Sequence, residues 1–460
     1  MCKKTLQRLL TLLTVGAGST LHAATNILPG PDQDRPGTVT QQAPNPLSVE
    51  GLSGERRSVF QRETLLGDPD GLRTLAAGMG IASNPVYIGE VMGNPTGGIE
   101  HGITYDGLLN VPLDVDVDRL THGLTSDLVF HTNALWIHGQ GLSTRKVGDF
   151  SNTSNIAGYN TVRLQELWLQ QSFLRKRVSL RVGVLAADAE FFTSTTSSLF
   201  INGTFGAFTF VGANLPDPPV YPVAVPGIRL AVAPVSFLSF QVGVYGGDSG
   251  GSQDQNNHGT NFNLRSGDGA LIFAEAAYTL NQSPGDRGLQ GTYKLGSFVH
   301  TGSRNFNTFD SQARNVLGIG PIKNRGTDFG VYGIGDQEIY KAGGRTIAAF
   351  ARVGGAPSDA NFVDFYVDGG FNFTGFVPGR QRDILGVAVA YSNVSSDFSD
   401  SQRDQGSPGF SNETVLEATY RINLAPWWSV QPDLQYIFNP SGQDGSHDAL
   451  VLGVRTAIAF

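Results

Sequence analysis

The chain ends on Leu450-Val451-Leu452-Gly453-Val454-Arg455-Thr456-Ala457-Ile458-Ala459-Phe460. Successive side chains of a β-strand point to opposite faces, so Leu450, Leu452, Val454, Thr456, Ile458 and Phe460 share one face, and Arg455 lies on the other among Val, Gly and Ala. An apolar face of that length must meet either a second sheet or lipid, and the arginine then points away from it.

The same parity recurs upstream. Arg181 stands opposite Val178, Leu180, Val182 and Val184; Arg229 opposite Ile228, Leu230 and Val232; Glu417 and Arg421 opposite Leu416, Ala418, Tyr420 and Ile422. Glu275, Lys294, Arg352, Asp364, Asp368 and Asp433 fall on the charged face by the same test, and Asp336 joins them. On the lipid face of a barrel a midplane charge costs about 2–4 kcal/mol, so all of these are expected to point into a lumen. A soluble sandwich would need a second sheet over nearly every strand, and none is identifiable. Parity breaks at Leu164, Glu166 and Trp168, which share a face, so a bulge or an interfacial position is expected there.

Composition agrees. Only 16% of the 460 residues are charged, with 59 Gly and 28 Phe, and mean hydropathy is −0.11. No window beyond residue 24 offers the roughly 18 apolar residues of a helical span. Short apolar runs separated by Gly, Asn, Asp and Pro indicate an all-β chain. Short connections at Asn281 to Gly288, Lys341 to Arg345 and Asn423 to Trp427 alternate with long polar ones at Gly246 to Gly269, His300 to Thr327, Ser392 to Glu413 and Asn439 to Asp448. Tight turns at one end and long loops at the other are the build of an outer-membrane barrel. Strand starts are expected near Ile81, Ile103, Asp127, Val162, Val178, Ile228, Phe237, Ala270, Leu289, Asp328, Thr346, Phe362, Asp383, Thr414, Trp428 and Ala449, which makes sixteen antiparallel strands over residues 79–460.

Lys3, Lys4 and Arg8, then Leu9 to Ala17, then Leu21-His22-Ala23-Ala24, form a signal peptide over 1–24. Its removal leaves 29 Lys+Arg against 40 Asp+Glu, a net charge of −11, which argues against nucleic acid as a partner. Cys2 leaves with it, so the mature chain holds no disulfide. Residues 25–64, with Pro29, Pro31, Pro36, Pro44 and Pro46, form a Pro-rich, disordered leader. A short helix within 65–78 is expected, with Asp70 as its cap and Gly78 at its end, as either a plug or a connector.

Ile88-Gly89-Glu90-Val91-Met92-Gly93-Asn94-Pro95-Thr96-Gly97-Gly98, Leu164-Gln165-Glu166-Leu167-Trp168-Leu169-Gln170-Gln171, Asp336-Gln337 and Ala425-Pro426-Trp427-Trp428-Ser429-Val430-Gln431-Pro432-Asp433-Leu434-Gln435-Tyr436 resemble the carbohydrate-selective porins of the OprB family, from about residue 65 to Phe460. The Pro-Trp-Trp block is the most specific part. The resemblance implies a sixteen-stranded channel in the outer membrane of a Gram-negative bacterium, passing small neutral sugars such as glucose by diffusion, with the short helix near the periplasmic mouth. The leader is longer than the family pattern suggests.

Enzyme-like strings carry little. Gly247-Asp248-Ser249-Gly250-Gly251 copies a protease nucleophile string but opens a Gly-rich loop, and no histidine of the mature chain sits in that family's histidine motif. Asp114, Asp116 and Asp118 have calcium-loop spacing, but Arg119 and Thr125 occupy the positions that need Gly and Glu. His101, His122, His131 and His138 are too scattered for zinc. No catalytic residue, metal or cofactor is expected. The alternative to a channel is an outer-membrane barrel enzyme or adhesin, which would need a nucleophile at the rim or large outer domains.

The expected lumen path is lined by Arg181, Arg229, Glu275, Lys294, Arg352, Glu417, Arg421 and Arg455, with Arg181 and Arg229 offering donors to sugar hydroxyls. A sixteen-stranded barrel is too wide to select a monosaccharide unaided. Ala187 to Pro226, the longest connection, carries Phe191, Phe192, Leu199, Phe200, Ile201, Phe205, Phe208 and Phe210, too many apolar groups to leave in water. It is expected to fold inward as a constriction, with Asp188, Glu190 and Asp217 facing Arg181 and Arg229; the competing reading is a further strand pair. Monomer and homotrimer both stay open. The apolar strand ending on Phe460 is expected to be the segment that the barrel-assembly machinery engages. Deleting Phe460 should therefore lower the yield of the folded, heat-modifiable form at native expression, measured by gel migration with and without boiling.

Overall fold

The structure, a computed structural model, describes residues 59–249, 256–265, 267–283, 285–302, 306, 307, 309, 314 and 324–460. The signal-peptide reading and the leader before residue 59 lie outside the described residues.

Alternating apolar and polar residues build one antiparallel ladder: β1 (Val86–Thr96), β2 (Gly102–Asp116), β3 (Leu128–Gly139), β4 (Thr161–Phe173), β5 (Val178–Leu185), β6 (Val225–Val235), β7 (Leu238–Gly246) and β8 (Ala270–Leu280). It continues through β9 (Gly291–Thr301), β10 (Asp328–Ala342), β11 (Arg345–Gly355), β12 (Val363–Thr374), β13 (Ile384–Val394), β14 (Asn412–Ala425), β15 (Trp428–Phe438) and β16 (Ala449–Ala459). Pairing of β16 with β1, with Arg455 opposite Glu90, closes the ladder into a barrel and leaves no free edge. Every expected start from Ile103 onward falls within three residues of an observed one.

The first expected start, Ile81, has its own explanation. Ile81–Ala82 pairs with Val115 and Asp114 of β2 in the register that β1 then continues from Val86 opposite Asn110. The short piece is therefore the beginning of the first strand. Between them Pro85 and, on β2, Pro112 have no N–H for the ladder, and Ser83 Oγ donates to the Pro112 carbonyl instead. At the opposite extreme of regularity, β10 and β11 join through Gly343-Gly344, both with positive φ (59° and 75°), as a two-residue hairpin turn demands.

The parity break in β4 is a bulge. Asn133 pairs with Glu166 and Ala134 with Leu164, so Gln165 is the extra residue and the inward face switches from Arg163 and Gln165 to Trp168 and Gln170. A second irregularity, between Val363 and Phe365, corrects one expectation: Asp364 sits in it and accepts from Asn393 Nδ2 at 2.8 Å, outside the lumen clusters.

The short helix is Leu72–Gly78, and its capping corrects the expectation for Asp70. Asp70 has left-handed φ of 53°, while the Asp68 carboxylate accepts from the Arg73 and Thr74 backbone N–H groups. Those bonds and the Thr74 hydroxyl hold the Asp68 carboxyl below the usual carboxylate range, the hydroxyl being the largest cause. This segment grips the end of β16: Arg73 Nη2 donates to the Phe460 carbonyl at 2.7 Å, Leu65 N to Ala459 O at 2.8 Å, and Trp427 Nε1 to Val59 O at 2.8 Å. Leu65 packs on the cluster that includes Trp427 and Ala459. Replacing Arg73 by Ala removes a charge-assisted bond at the barrel seam and should cost about 1–3 kcal/mol, read as a lower melting temperature of the heat-modifiable form.

Candidate functional site: the lumen and its folded-in loop

Between β5 and β6 the chain turns into the barrel. Loop L3, residues 186–224, is built of 3-10 turns at Ala187–Ala189, Ser197–Leu199 and Gly203–Phe205 and a helix at Thr209–Asn214, so the further-strand-pair reading does not hold. Asn202 opens the third turn by accepting from Thr204 N. Phe191, Phe192, Phe205, Phe208 and Phe210 are fully buried, packed on Phe273, Phe298, Tyr332, Phe350 and Tyr366 of the wall. Wall glycines make room for them: a Cβ on Gly354 would stand 2.3 Å from the Phe210 ring, and one on Gly386 2.6 Å from Leu199.

An irregular backbone inside a barrel has N–H and C=O groups with no ladder to join, and each needs a partner. The wall supplies them. Glu275 accepts from Phe192 N at 2.8 Å, Asp336 from Thr196 N at 3.0 Å, and Glu417 from Ile201 N and Asn202 N at 2.6 and 2.9 Å. Lys294 donates to Thr193 O, Asn372 to Thr196 O, Gln431 to Leu199 O, and Arg352 to Thr204 O and Gly206 O, all at 2.8–2.9 Å. The residues read from parity as a solute path are thus, for the most part, the holders of L3.

Arg181 and Arg229 show this most clearly. Both reach Glu190 at the root of L3, at 3.1 and 2.7 Å, and all three side chains are at most 4% exposed. Gln170 accepts from both guanidinium groups, and Arg181 lies 3.7 Å over the Trp168 ring. The two arginines are therefore not free donors for sugar hydroxyls. Asp188 pairs with neither; it accepts from Tyr221 N at 2.9 Å and ties the two limbs of L3 together. Asp217 sits half-buried in the Pro216-Asp217-Pro218 turn with φ of 36°. Elsewhere Arg352 chelates Asp368, Lys294 stands 3.6 Å from Glu275 and Arg455 2.7 Å from Glu90. Arg421 meets no carboxylate among the described residues, and its Nε is buried without a partner.

Strand parity missed the other loop involved. Residues 140–160, between β3 and β4, also fold inward and clasp the tip of L3: Asn155 N donates to Ile201 O and Gly203 N to Asn152 O, at 2.8 and 2.7 Å. Glu413 holds this loop through Phe150 N and Ser151 N. Its polar run Ser151 to Asn155 carries no apolar periodicity that would have marked it as buried. Also missed were Glu90, Thr104, Asn110, Asn133, Arg163 and Gln165 on β1 to β4. Each has a buried polar atom without a partner, and with Arg421 and Asp433 they occupy the contiguous wall β14–β15–β16–β1–β2–β3–β4. The aromatic rings of L3 face the other wall, β8 to β12.

Comparison with known proteins follows the same lines. The sequence profile described as "Carbohydrate-selective porin, OprB family" matches residues 100–460. Porin B of Pseudomonas aeruginosa PAO1 is 25% identical over 424 residues, covering 86% of this chain and 91% of the relative. The high-pH structure of Pseudomonas putida OprB superposes with a TM-score of 0.79 at 23% identity, over 88% of this chain and all of that one. The low-pH structure of the same protein gives 0.54 at 17% identity, over 87% of this chain and 99% of that one.

Burial pushes the Asp188 carboxyl up to about 7. Its protonated form is favoured in the folded state, so its contribution to stability is present at low pH and falls as pH rises from about 4, the ordinary value, toward about 7. Asp188→Asn keeps an acceptor for Tyr221 N and removes the titration. Between pH 4.5 and 7.5 the melting temperature of the variant should gain steadily on that of the wild type; a constant difference would contradict the assignment.

Proposed function

The chain belongs to the OprB family of carbohydrate-selective porins and is an outer-membrane sugar porin of a Gram-negative bacterium; we propose that its solutes are neutral monosaccharides of the size of glucose, passing the constriction that L3 forms in the lumen. The observation that carries this reading is how the lumen charges are used. Arg229, Glu275, Asp336, Glu417 and Arg352 are engaged with L3, and Arg455 with Glu90. A lumen whose charges are largely neutralised internally has little field left for ions, while its amide and hydroxyl groups suit a hydroxylated solute.

In this reading L3 is the constriction and its holders are positioning residues. Arg181 and Arg229 act on sugar selectivity through Glu190 and the root of the loop. Removing Glu190 would take a buried carboxylate from two guanidinium groups at once, a loss of about 3–5 kcal/mol.

The test is deletion of Thr193 to Asn214. In correctly assembled barrels in planar bilayers the deletion should raise single-channel conductance severalfold and abolish the difference in current block between glucose and longer sugars. Unchanged conductance would refute the constriction.

A further inference from the structure

Of the six cations that strand parity places in the lumen, five end on a carboxylate: Arg181 and Arg229 on Glu190, Lys294 on Glu275, Arg352 on Asp368 and Arg455 on Glu90. Arg421 is the sixth. Among the described residues it has neither ion pair nor hydrogen bond, and its Nε is buried without a partner. It shares the inward face of β14 with Glu417 and Thr419, and its neighbour across the ladder, Ile384 of β13, is buried inside the barrel. Glu417 holds the tip of L3 through Ile201 and Asn202. Arg421 comes four residues later, about 13 Å along the strand toward the short Ala425–Trp428 connection, and the β14–β15 register sets it level with Gln431, which donates to Leu199 O, so it lies at the edge of L3. It is only half-buried, whereas Arg181, Arg229, Arg352 and Arg455 are buried.

Neither nearby acid pairs with it. Both Glu417 oxygens accept from L3 amides, and Asp433 accepts from Gln435 through Oδ1 while its Oδ2 is buried without a partner. Arg163, the other inward arginine without a carboxylate, is 2% exposed with the Tyr159 ring 5.6 Å away, and is closed to solutes. A guanidinium group that is partly desolvated and unpaired gains from an arriving carboxylate what the other five already gain from Asp or Glu, and its planar fork matches that group bidentately. A neutral hydroxyl offers only a weaker, single acceptor.

We infer that Arg421 is a carboxylate-binding site on the solute path, and that the channel takes monosaccharide acids of the aldonate or uronate class as well as neutral sugars. The inference rests on the sugar-path reading above. The sugar body is held by the neutral groups of the lumen wall and the carboxylate by Arg421, so acid and hydroxylated body must be on one molecule.

The experiment is block of potassium chloride current through purified full-length protein in planar bilayers, titrated with glucose, gluconate and acetate. Gluconate should half-block at a concentration about tenfold lower than glucose, the size of one charge-assisted bond, and acetate should not block in that range. Arg421→Gln should bring half-block by gluconate to within about twofold of that by glucose in the same variant, and Arg421→Lys should keep part of the advantage. Heat-modifiable migration confirms assembly of both variants, and the lysine variant carries the test should the glutamine variant fail to assemble. Gluconate no better than glucose, an advantage that survives in Arg421→Gln, or acetate as effective as gluconate would each overturn the site. Absence of glucose block in the wild type would strike the sugar path itself, whereas glucose block without a gluconate advantage strikes Arg421 alone.

Discussion

An irregular loop buried inside a barrel must find a partner for every backbone polar group, and most of what is particular to this lumen follows from that constraint. The strands use their own N–H and C=O groups in the ladder, leaving only side chains to serve L3. Glu275, Asp336 and Glu417 take its amides, while Lys294, Arg352, Asn372 and Gln431 take its carbonyls. These groups sit on β8, β9, β10, β11, β12, β14 and β15, so the loop is fastened along more than a third of the wall.

The same arrangement explains how a polar barrel interior tolerates so many rings. A lumen of charged residues would ordinarily stay wet, but here most of the wall charges around L3 are turned toward a backbone group or an opposite charge. The space left between them is filled by Phe191, Phe192, Phe208 and Phe210 against Phe273, Phe298 and Tyr366. Tyr366 bridges the two layers, its ring among the phenylalanines and its hydroxyl on Asp368 and Thr204. Loss of a single wall charge would therefore loosen backbone and rings together.

The consequence for transport is a division of the wall. The strands that carry L3 have spent most of their charges on structure, and β1 to β4 retain buried polar atoms without protein partners. Arg421, on β14 at the edge of L3, is the described lumen cation of the parity set that is unpaired and only half-buried. The carbohydrate selectivity of the family and a preference among sugars of different charge are on this view separate matters, one set by the loop's bulk and the other by a single side chain.

Much of the architecture was legible in the chain because it rests on a local rule. Period-two alternation is complete within each strand, so Leu450 to Phe460 by itself gives a strand, its lipid face and the inward direction of Arg455, and repetition of the pattern gives sixteen strands. The Phe content of residues 187–226 likewise announces a buried insert without any pairing knowledge. Where the local rule is interrupted, reading failed: the bulge at Gln165 flips the inward face of β4, and the irregularity at Asp364 takes that residue out of the lumen. The partners of the charges were beyond the sequence altogether. Glu190 lies 39 residues from Arg229, and Glu90 lies 365 from Arg455. Which acid meets which base, and that Arg421 meets none, depends on strand stagger and on the path of two loops through the lumen, and those are settled only when the barrel closes.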